Sequence, residues 1–318
     1  ISPGVRRSGW IQHDNRGDAE LVVSFLSRAD PGRELMAEPL IVGATGQLGT
    51  AFGALTPEAD QIDLPDLDLS DLGSVAPTVE ARRPSLIINC AAYTAVDAAE
   101  DNLDLASTIN GHAVAELVGV AARADIPIVT FSTDYVFPGT GERPYVESDP
   151  VSPINAYGVS KLIGEEAALA YERGLVIRTS WLVSGTHPNF IATMLRLAPD
   201  RTLNVVNDQY GRPTIACDLA ASTLSALDRG VSGILHLANA GPTTWFEFAR
   251  TAVALAGLDP AAIQPCSTAE YPTRAKRPAY SVLESERAAS LSIPSLPHWT
   301  ESLPGVVEQL LGGPERSV

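Results

Sequence analysis

Tyr157 and Lys161, in Tyr157-Gly158-Val159-Ser160-Lys161, have the types and the spacing for delivering a proton to a carbonyl oxygen. Residues four apart share one face of a helix. A carbonyl that gains a hydride at carbon must gain a proton at oxygen, and a phenol can give it. Free tyrosine titrates near about 10, so an adjacent cation is needed to bring it toward working pH, and a lysine one turn on can supply that charge. The same lysine can hold a cofactor ribose. Thr133, at the end of the run Ile126 to Ser132, can donate a hydrogen bond to the same carbonyl. In isolation a Tyr-x-x-x-Lys pair is common and usually structural. Its weight here comes from what precedes it.

Gly43-Ala44-Thr45-Gly46-Gln47-Leu48-Gly49 directly follows the short apolar run Pro39-Leu40-Ile41-Val42 and opens a helical pattern. Glycines at that spacing permit a tight turn, close approach of backbone to a pyrophosphate, and close packing of helix on strand. The helix N-terminus adds N–H donors and a positive dipole end. Without the strand and the helix around it the motif would read as a plain turn; between them it reads as the pyrophosphate loop of NADPH or NADH. The acid that binds the adenosine ribose should follow the second strand. That region reads Gln61-Ile62-Asp63-Leu64-Pro65-Asp66-Leu67-Asp68-Leu69. Asp63 is placed best for the ribose, and Asp68 with Leu69 nearer the adenine, although each acid alone reads as a solvated loop charge. No arginine lies nearby to receive a 2′-phosphate, so nothing here selects NADPH over NADH.

A frame of strands and helices must hold these residues. Leu86 to Cys90, Ile126 to Ser132, Leu175 to Trp181 and Gly233 to Leu237 join Pro39 to Val42 as short, continuously apolar runs, which suit strands buried on both faces. Helical patterns such as Ala113 to Ala124 and Ser160 to Tyr171 lie between them. The alternation predicts an α/β fold with a doubly wound parallel sheet, Rossmann-like, with right-handed crossovers. From about Asn189 the pattern is less regular, with helices over Phe190 to Ala198 and Trp245 to Ala256 and a Pro-rich stretch over Gln264 to Pro278. The expected division is an NAD(P)-binding domain over 39–188, with 216–240 returning to it, and a smaller C-terminal substrate domain built from 189–215 and 241–318. Residues 1–38 carry five arginines and one apolar run, Leu21 to Leu26. They read as an N-terminal extension or linker, compatible with an upstream fused or partner domain.

The net charge of −16 argues against nucleic acid or an anionic membrane as partner, since neither attracts a polyanion. No stretch is long and apolar enough to span a bilayer. Cys90, Cys217 and Cys266 are odd in number and lack metal or redox spacing, which fits reduced thiols and a cytoplasmic setting. The five histidines are scattered and give no support to a metal site.

In order along the chain, these segments resemble the extended short-chain dehydrogenases/reductases, and within them the dTDP-4-dehydrorhamnose reductase family. The likeness runs from about Leu40 to the C-terminus. It is carried by Gly43 to Gly49, by Asn89-Cys90-Ala91-Ala92-Tyr93-Thr94-Ala95-Val96-Asp97 and by Ser132-Thr133-Asp134-Tyr135-Val136-Phe137. Arg178-Thr179-Ser180-Trp181, Asn207 to Thr214 and Arg277-Pro278-Ala279-Tyr280-Ser281 extend it. Related dehydratases carry Asp-Glu where this chain has Asp134-Tyr135, and epimerases usually lack the Asp.

The resemblance implies reduction of the 4-keto group of dTDP-4-dehydro-6-deoxy-L-mannose to dTDP-L-rhamnose. Tyr157 would be the proton donor and Lys161 its electrostatic partner and ribose ligand, with Thr133 tuning the transfer. Ser132, Thr133, Asp134 and Trp181 would meet the dTDP-sugar. Trp181 has a competing reading, since a lone Trp after a buried strand is as often core. Gly43, Gly46, Gln47, Leu48 and Gly49, then Ala92, Tyr93 and Thr94, would line the cofactor. The alternatives are an epimerase or dehydratase on another nucleotide sugar, and a catalytically silent NADP-binding regulatory subunit. Intact Thr133, Tyr157 and Lys161 favour the enzyme. Some members of the family join two subunits through Mg²⁺ held by glutamates. Ala51 and Cys217, followed by Asp218, stand at those positions here. Mg²⁺ wants oxygen ligands, so the expectation is no metal, and a monomer or a metal-independent homodimer.

Overall fold

The computed structural model describes residues 38–312, so the extension before them, with its apolar run Leu21 to Leu26, lies outside the described residues. The first half of the chain alternates as expected: β1 (Pro39–Val42), α1 (Gln47–Leu55), β2 (Asp60–Ile62), α2 (Leu72–Arg82), β3 (Leu86–Asn89), two short helices α3 (Val96–Ala99) and α4 (Leu103–Ser107), α5 (Ala113–Ala124), β4 (Ile128–Thr133), α6 (Ala156–Leu169) and β5 (Gly174–Thr179). The second half is more broken: β6 (Leu182–Val183), α7 (Phe190–Leu197), β7 (Leu203–Val206), β8 (Tyr210–Gly211), β9 (Thr214–Ile215), α8 (Ala216–Asp228), β10 (Gly233–His236), β11 (Thr243–Thr244), α9 (Trp245–Leu255), β12 (Ile263–Cys266) and α10 (Trp299–Gly312).

Six of the strands make one parallel sheet in the order β10-β5-β4-β3-β1-β2. Side chains alternate across a strand, and here both sides are core. Ile41 packs with Leu48 and Phe52 of α1 and Leu219 of α8 on one face. Leu40 and Val42 pack with Val75 and Val79 of α2 and Leu117 of α5 on the other. Burying each such side chain contributes roughly 1.5–3 kcal/mol, which is why these strands read as unbroken apolar runs. The chain winds outward from β1 to β2 on one side and to β3 on the other. The crevice beyond the C-terminal ends of β1 and β3 is therefore the topological switch point, where open α/β sheets bind ligands.

The irregular half has a core of its own, built from Val183, Ile191, Leu195, Leu203, Phe246, Phe248, Trp299 and Val306 among others. Three two-stranded pairs, β6–β9, β7–β12 and β8–β11, frame it. Residues after α8 rejoin the large sheet through β10, which pairs with β5, and Leu219, Leu224 and Leu235 pack in its core.

Candidate active site

Gly43 sits at φ +78°, and a Cβ there would come within 2.5 Å of the Ala91 nitrogen, at the end of the neighbouring β3. At Gly49 a Cβ would lie 2.2 Å from the Gly43 carbonyl oxygen. Both positions need glycine because backbone meets backbone. Gly46 differs: it is exposed, and its Cβ would meet nothing closer than 3.5 Å. A side chain there would stand where a ligand approaches. The first helical bond of α1 runs from Thr50 N to Gly46 O, and no side chain caps the N-terminus. The N–H groups of the first turn thus face outward with the positive end of the helix dipole. Asp63, just past β2, accepts from Thr45 N at 2.8 Å and Thr45 Oγ1 at 2.6 Å. Partial burial opposes its charge, but the bonds from Thr45 and Leu64 outweigh that and hold the carboxyl below its usual range. The loop, the open helix end and the acid together fit a dinucleotide.

Across the crevice, Asn155 caps α6 by accepting from Gly158 N at 2.8 Å. The helix therefore begins at Ala156, four residues ahead of the Ser160 start that the apolar period predicted, because the Asn155 cap and not the apolar period sets its first turn. Thr133 ends β4. Its hydroxyl touches the Tyr157 phenol, donates to Asp134 Oδ1 at 3.0 Å and accepts from Tyr135 N at 3.1 Å. The Tyr135 ring meets the Tyr157 ring edge-on, centroids 6.0 Å apart. The Arg277 guanidinium lies 5.9 Å over Tyr135 and bonds Asp97 at 2.8 Å. The buried oxygens without a hydrogen-bond partner among the described residues include Ser132 Oγ and Asp134 Oδ2, which both adjoin Thr133 on the chain. Asp134 is 2 % exposed, and burial pushes its carboxyl up to about 7 against the pull of the nearby Ser281 and Thr133 hydroxyls.

The electrostatics differ from the expectation in one respect. Tyr157 is not brought down by Lys161: burial and the Asp134 charge drive it up, with Thr133 the opposing influence. The phenol is thus held in its neutral, proton-bearing form. Lys161 is buried on the same helix, and burial pulls its ammonium down to about 8 while Glu165 opposes that. Thr133 carries a further constraint. A hydroxyl has one proton, and it points to Asp134, so Thr133 can serve a carbonyl only by turning away from that carboxyl.

Leu48 and Leu69 bury their side chains in the two cores, so they offer a cofactor only backbone. Asp68 is exposed and accepts from Ser70. Ala92 and Tyr93 are half-buried and Thr94 exposed beyond β3. Trp181 lies just past β5 in the left-handed region, φ +47°. Its ring is buried in the second core, stacked on Trp245, and its Nε1 has no partner among the described residues. Such a conformation costs a bulky residue about 1–3 kcal/mol and marks functional positions.

Several contributors escaped the sequence reading. Asn110, in a π-turn over Thr108–His112, bonds both backbone groups of Tyr93 and donates to Ser160 Oγ at 2.9 Å. Ser160 in turn donates to the Tyr157 carbonyl. One asparagine thus ties the loop after β3 to the helix that carries Tyr157 and Lys161. Gln47 and His187 join the glycine loop to the segment after β6, through Ser184, Asn189 and the Thr45 carbonyl. Nothing in local spacing announces either contact, since the partners lie far apart in sequence.

The model of the RmlD substrate binding domain family matches residues 37–311. The chain is 39 % identical over 271 residues to a dTDP-4-keto-6-deoxy-D-glucose reductase of Streptomyces niveus, covering 83 % of this chain and 94 % of that one. It is 40 % identical over 294 residues to a dTDP-4-dehydrorhamnose reductase of Burkholderia thailandensis, covering 86 % and 98 %. Among solved structures it is similar to a dTDP-4-dehydrorhamnose reductase of Bacillus anthracis in complex with NADP, with 35 % identity, a TM-score of 0.82, and coverage of 85 % and 98 %.

Proposed function

The chain belongs to the RmlD substrate binding domain family, the family of the dTDP-4-dehydrorhamnose reductases, and from that premise we propose that it reduces the 4-keto group of dTDP-4-dehydro-6-deoxy-L-mannose to dTDP-L-rhamnose. It is an NADPH- or NADH-dependent oxidoreductase. The observation that carries the sugar-reducing reading is the grouping of Tyr157, Thr133 and Asp134 across the crevice from the glycine loop.

When bound, the dinucleotide supplies the hydride. Gly43, Gly46 and Gly49 with the open end of α1 would hold its pyrophosphate, Asp63 its adenosine ribose, and Lys161 the ribose of its nicotinamide. Ala92, Tyr93 and Thr94 would border the reacting ring. Tyr157 then gives its phenolic proton to the O4 oxygen as C4 becomes tetrahedral, and the phenolate is reprotonated from solvent. Its raised pKa keeps the proton in place until the oxygen becomes basic. Thr133 orients the carbonyl once it turns from Asp134. Ser132 Oγ and Asp134 Oδ2, which lack partners among the described residues, would take sugar hydroxyls, and Trp181 would contact the sugar nucleotide. No step needs a metal, and a monomer or a metal-independent homodimer in the cytoplasm suffices. Among the described residues, no helix is long and apolar enough to cross a membrane.

The test is oxidation of NADPH and NADH, followed by absorbance, against a panel of 4-keto sugar nucleotides. Turnover confined to dTDP-4-keto-6-deoxy sugars is expected. Binding of both ligands without turnover would instead favour a regulatory subunit.

A further inference from the structure

We propose that Glu165 and Arg178 are positioning residues that act through Lys161: Glu165 supplies the negative charge that keeps the buried Lys161 ammonium charged, and Arg178 pins Glu165 so that it balances Lys161 without bonding it. The inference rests on the reading of Lys161 as partner of Tyr157 and of the nicotinamide ribose.

Lys161 and Glu165 stand one turn apart on α6, on the face turned to the sheet, and both are buried. Left to itself, a glutamate at that spacing would form an ion pair with the lysine. Among the described residues no such pair is formed, and the Glu165 carboxylate is instead turned to the sheet. Arg178 of β5 bonds both its oxygens in a fork, Nε to Oε1 at 2.9 Å and Nη2 to Oε2 at 2.7 Å. The side chains of Arg178 and Glu165 are 3 % and 1 % exposed. Lys161 has no hydrogen-bond partner among the described residues, so its Nζ is free to turn to a phenol and a ribose. A direct bond to Glu165 would draw it away from both.

Arg178 is itself held from behind. Its guanidinium lies 5.1 Å over the Phe137 ring, and Nη1 is 3.5 Å from His236 Nε2. His236 Nδ1 faces the carbonyl oxygens of Glu284 and Tyr145, so that nitrogen carries the proton and Nε2 is left to accept. Burial lowers the pKa of His236; the Glu147 carboxylate, which accepts from His236 N at 2.9 Å, opposes this, and the Arg178 charge acts with burial, so the net direction is down and favours the neutral ring. The line therefore runs Lys161 (positive), Glu165 (negative), Arg178 (positive), His236 (neutral). A buried ion pair is weak evidence for stability, since desolvation offsets its attraction. This one sits one turn from a buried cation that must stay charged.

The other titratable groups on elements packed against α6 are accounted for. Asp134 and Tyr135 lie in the turn after β4 that packs on α6, Tyr157 stands in the first turn of α6, and Glu100 accepts from Ala156 N at the start of the helix. Asp104 on α4, His112 in the π-turn, Glu116 and Arg123 on α5, and Glu166 on α6 itself are exposed. Asp97 on α3 is taken by Arg277 and the Ala275 N–H.

Lys161 and Lys276 are the two lysines of the chain, and Lys276 is exposed. The full chain labelled with ¹³C at lysine Cε should show two resonances that titrate separately. In the wild type, burial should put the Lys161 midpoint below the ordinary lysine range, near 8. Glu165→Gln keeps one acceptor for Arg178 but removes the charge, and should lower the Lys161 midpoint by about one further unit, ten-fold in proton affinity, leaving Lys276 unmoved. Glu165→Asp keeps the charge and should restore most of the difference. In turnover, Glu165→Gln should move the alkaline limb of kcat/KM to lower pH by the same amount. An unchanged Lys161 midpoint in Glu165→Gln would overturn the proposal, as would a Glu165→Asp that behaves like Glu165→Gln. The titration uses neither sugar nor dinucleotide, so its failure is separable from failure of the reductase reading.

Discussion

The indole of Trp181 lies flat on that of Trp245, ring centroids 3.8 Å apart and planes 14° apart. On another side, Gly211 sits so close that a Cβ there would come within 2.5 Å of the Trp181 ring. The left-handed backbone at Trp181 is therefore held by packing, with its unpartnered N–H kept at a defined place. Trp245→Leu should destabilise the protein by about 1–3 kcal/mol through lost stacking and area. It should also raise KM for the sugar nucleotide several-fold with a smaller change in kcat. Denaturant unfolding and steady-state kinetics measure the two effects. A normal KM in a destabilised variant would mean that Trp181 is core only.

Gly49→Ala should weaken cofactor binding by roughly ten-fold or more, about 1.4 kcal/mol, because its Cβ would press on the Gly43 carbonyl and the Ala44 backbone. Gly53→Ala on the same helix is the control. Its Cβ would meet only the Gln61 side chain at 3.1 Å, and Gln61 is exposed. Nucleotide fluorescence titration should separate the two, and equal affinities would contradict the role given to the loop.

Asp134→Asn should stabilise the protein while lowering its activity. The Asp134 carboxyl has its folded pKa raised to about 7 from 3.8. The folded state then holds a proton that the unfolded state has lost. Wild-type stability accordingly falls as pH rises from about 4 to about 7, and the full penalty is present above that. The gain from Asp134→Asn should thus be larger at pH 8 than at pH 5, of the order of 1–4 kcal/mol at the upper end. Tm measured at the two pH values checks this, and a gain that grows toward acid would refute the sign.

The repeating part of this architecture could be read from residues in a row. Ile41, Ile88, Val129 and Ile177 sit in runs buried on both faces, and the glycine loop carries its own turn chemistry. Helix α5 is found where its apolar period placed it, over Ala113–Ala124. The contacts that tune the site are of another kind. Trp181 meets Trp245, Glu165 meets Arg178 and Asn110 meets Ser160, each across a gap in sequence that no period spans. The strained turn at Trp181 and the proton held between Thr133 and Asp134 also depend on packing. Tyr157 and Lys161 were legible because their relation is local, one helical turn. What surrounds and charges them is tertiary.

Tyr157→Phe keeps the ring and removes the proton, so kcat should fall on the order of 10²–10⁴-fold with cofactor affinity little changed. Lys161→Met should lose both rate and cofactor affinity. In the wild type, the alkaline limb of kcat/KM should lie near 8, where Lys161 loses its charge, and not where the raised Tyr157 would titrate. Activity is lost as pH rises through that value because the charged amine is the working form. Steady-state kinetics across pH, with nucleotide binding measured in parallel, tests all three statements. Near-normal turnover by Tyr157→Phe would remove the tyrosine from the chemistry.

The most direct measurement follows the hydride itself. The enzyme is given dTDP-4-dehydro-6-deoxy-L-mannose and NADPH or NADH carrying deuterium at the nicotinamide C4 position that is transferred, and the product sugar nucleotide is examined by mass spectrometry and proton NMR. The account predicts one deuterium at C4 of the rhamnosyl product in the wild type, and the same product formed far more slowly by Tyr157→Phe. A sugar recovered with no deuterium at C4, from enzyme that binds both ligands, would contradict it.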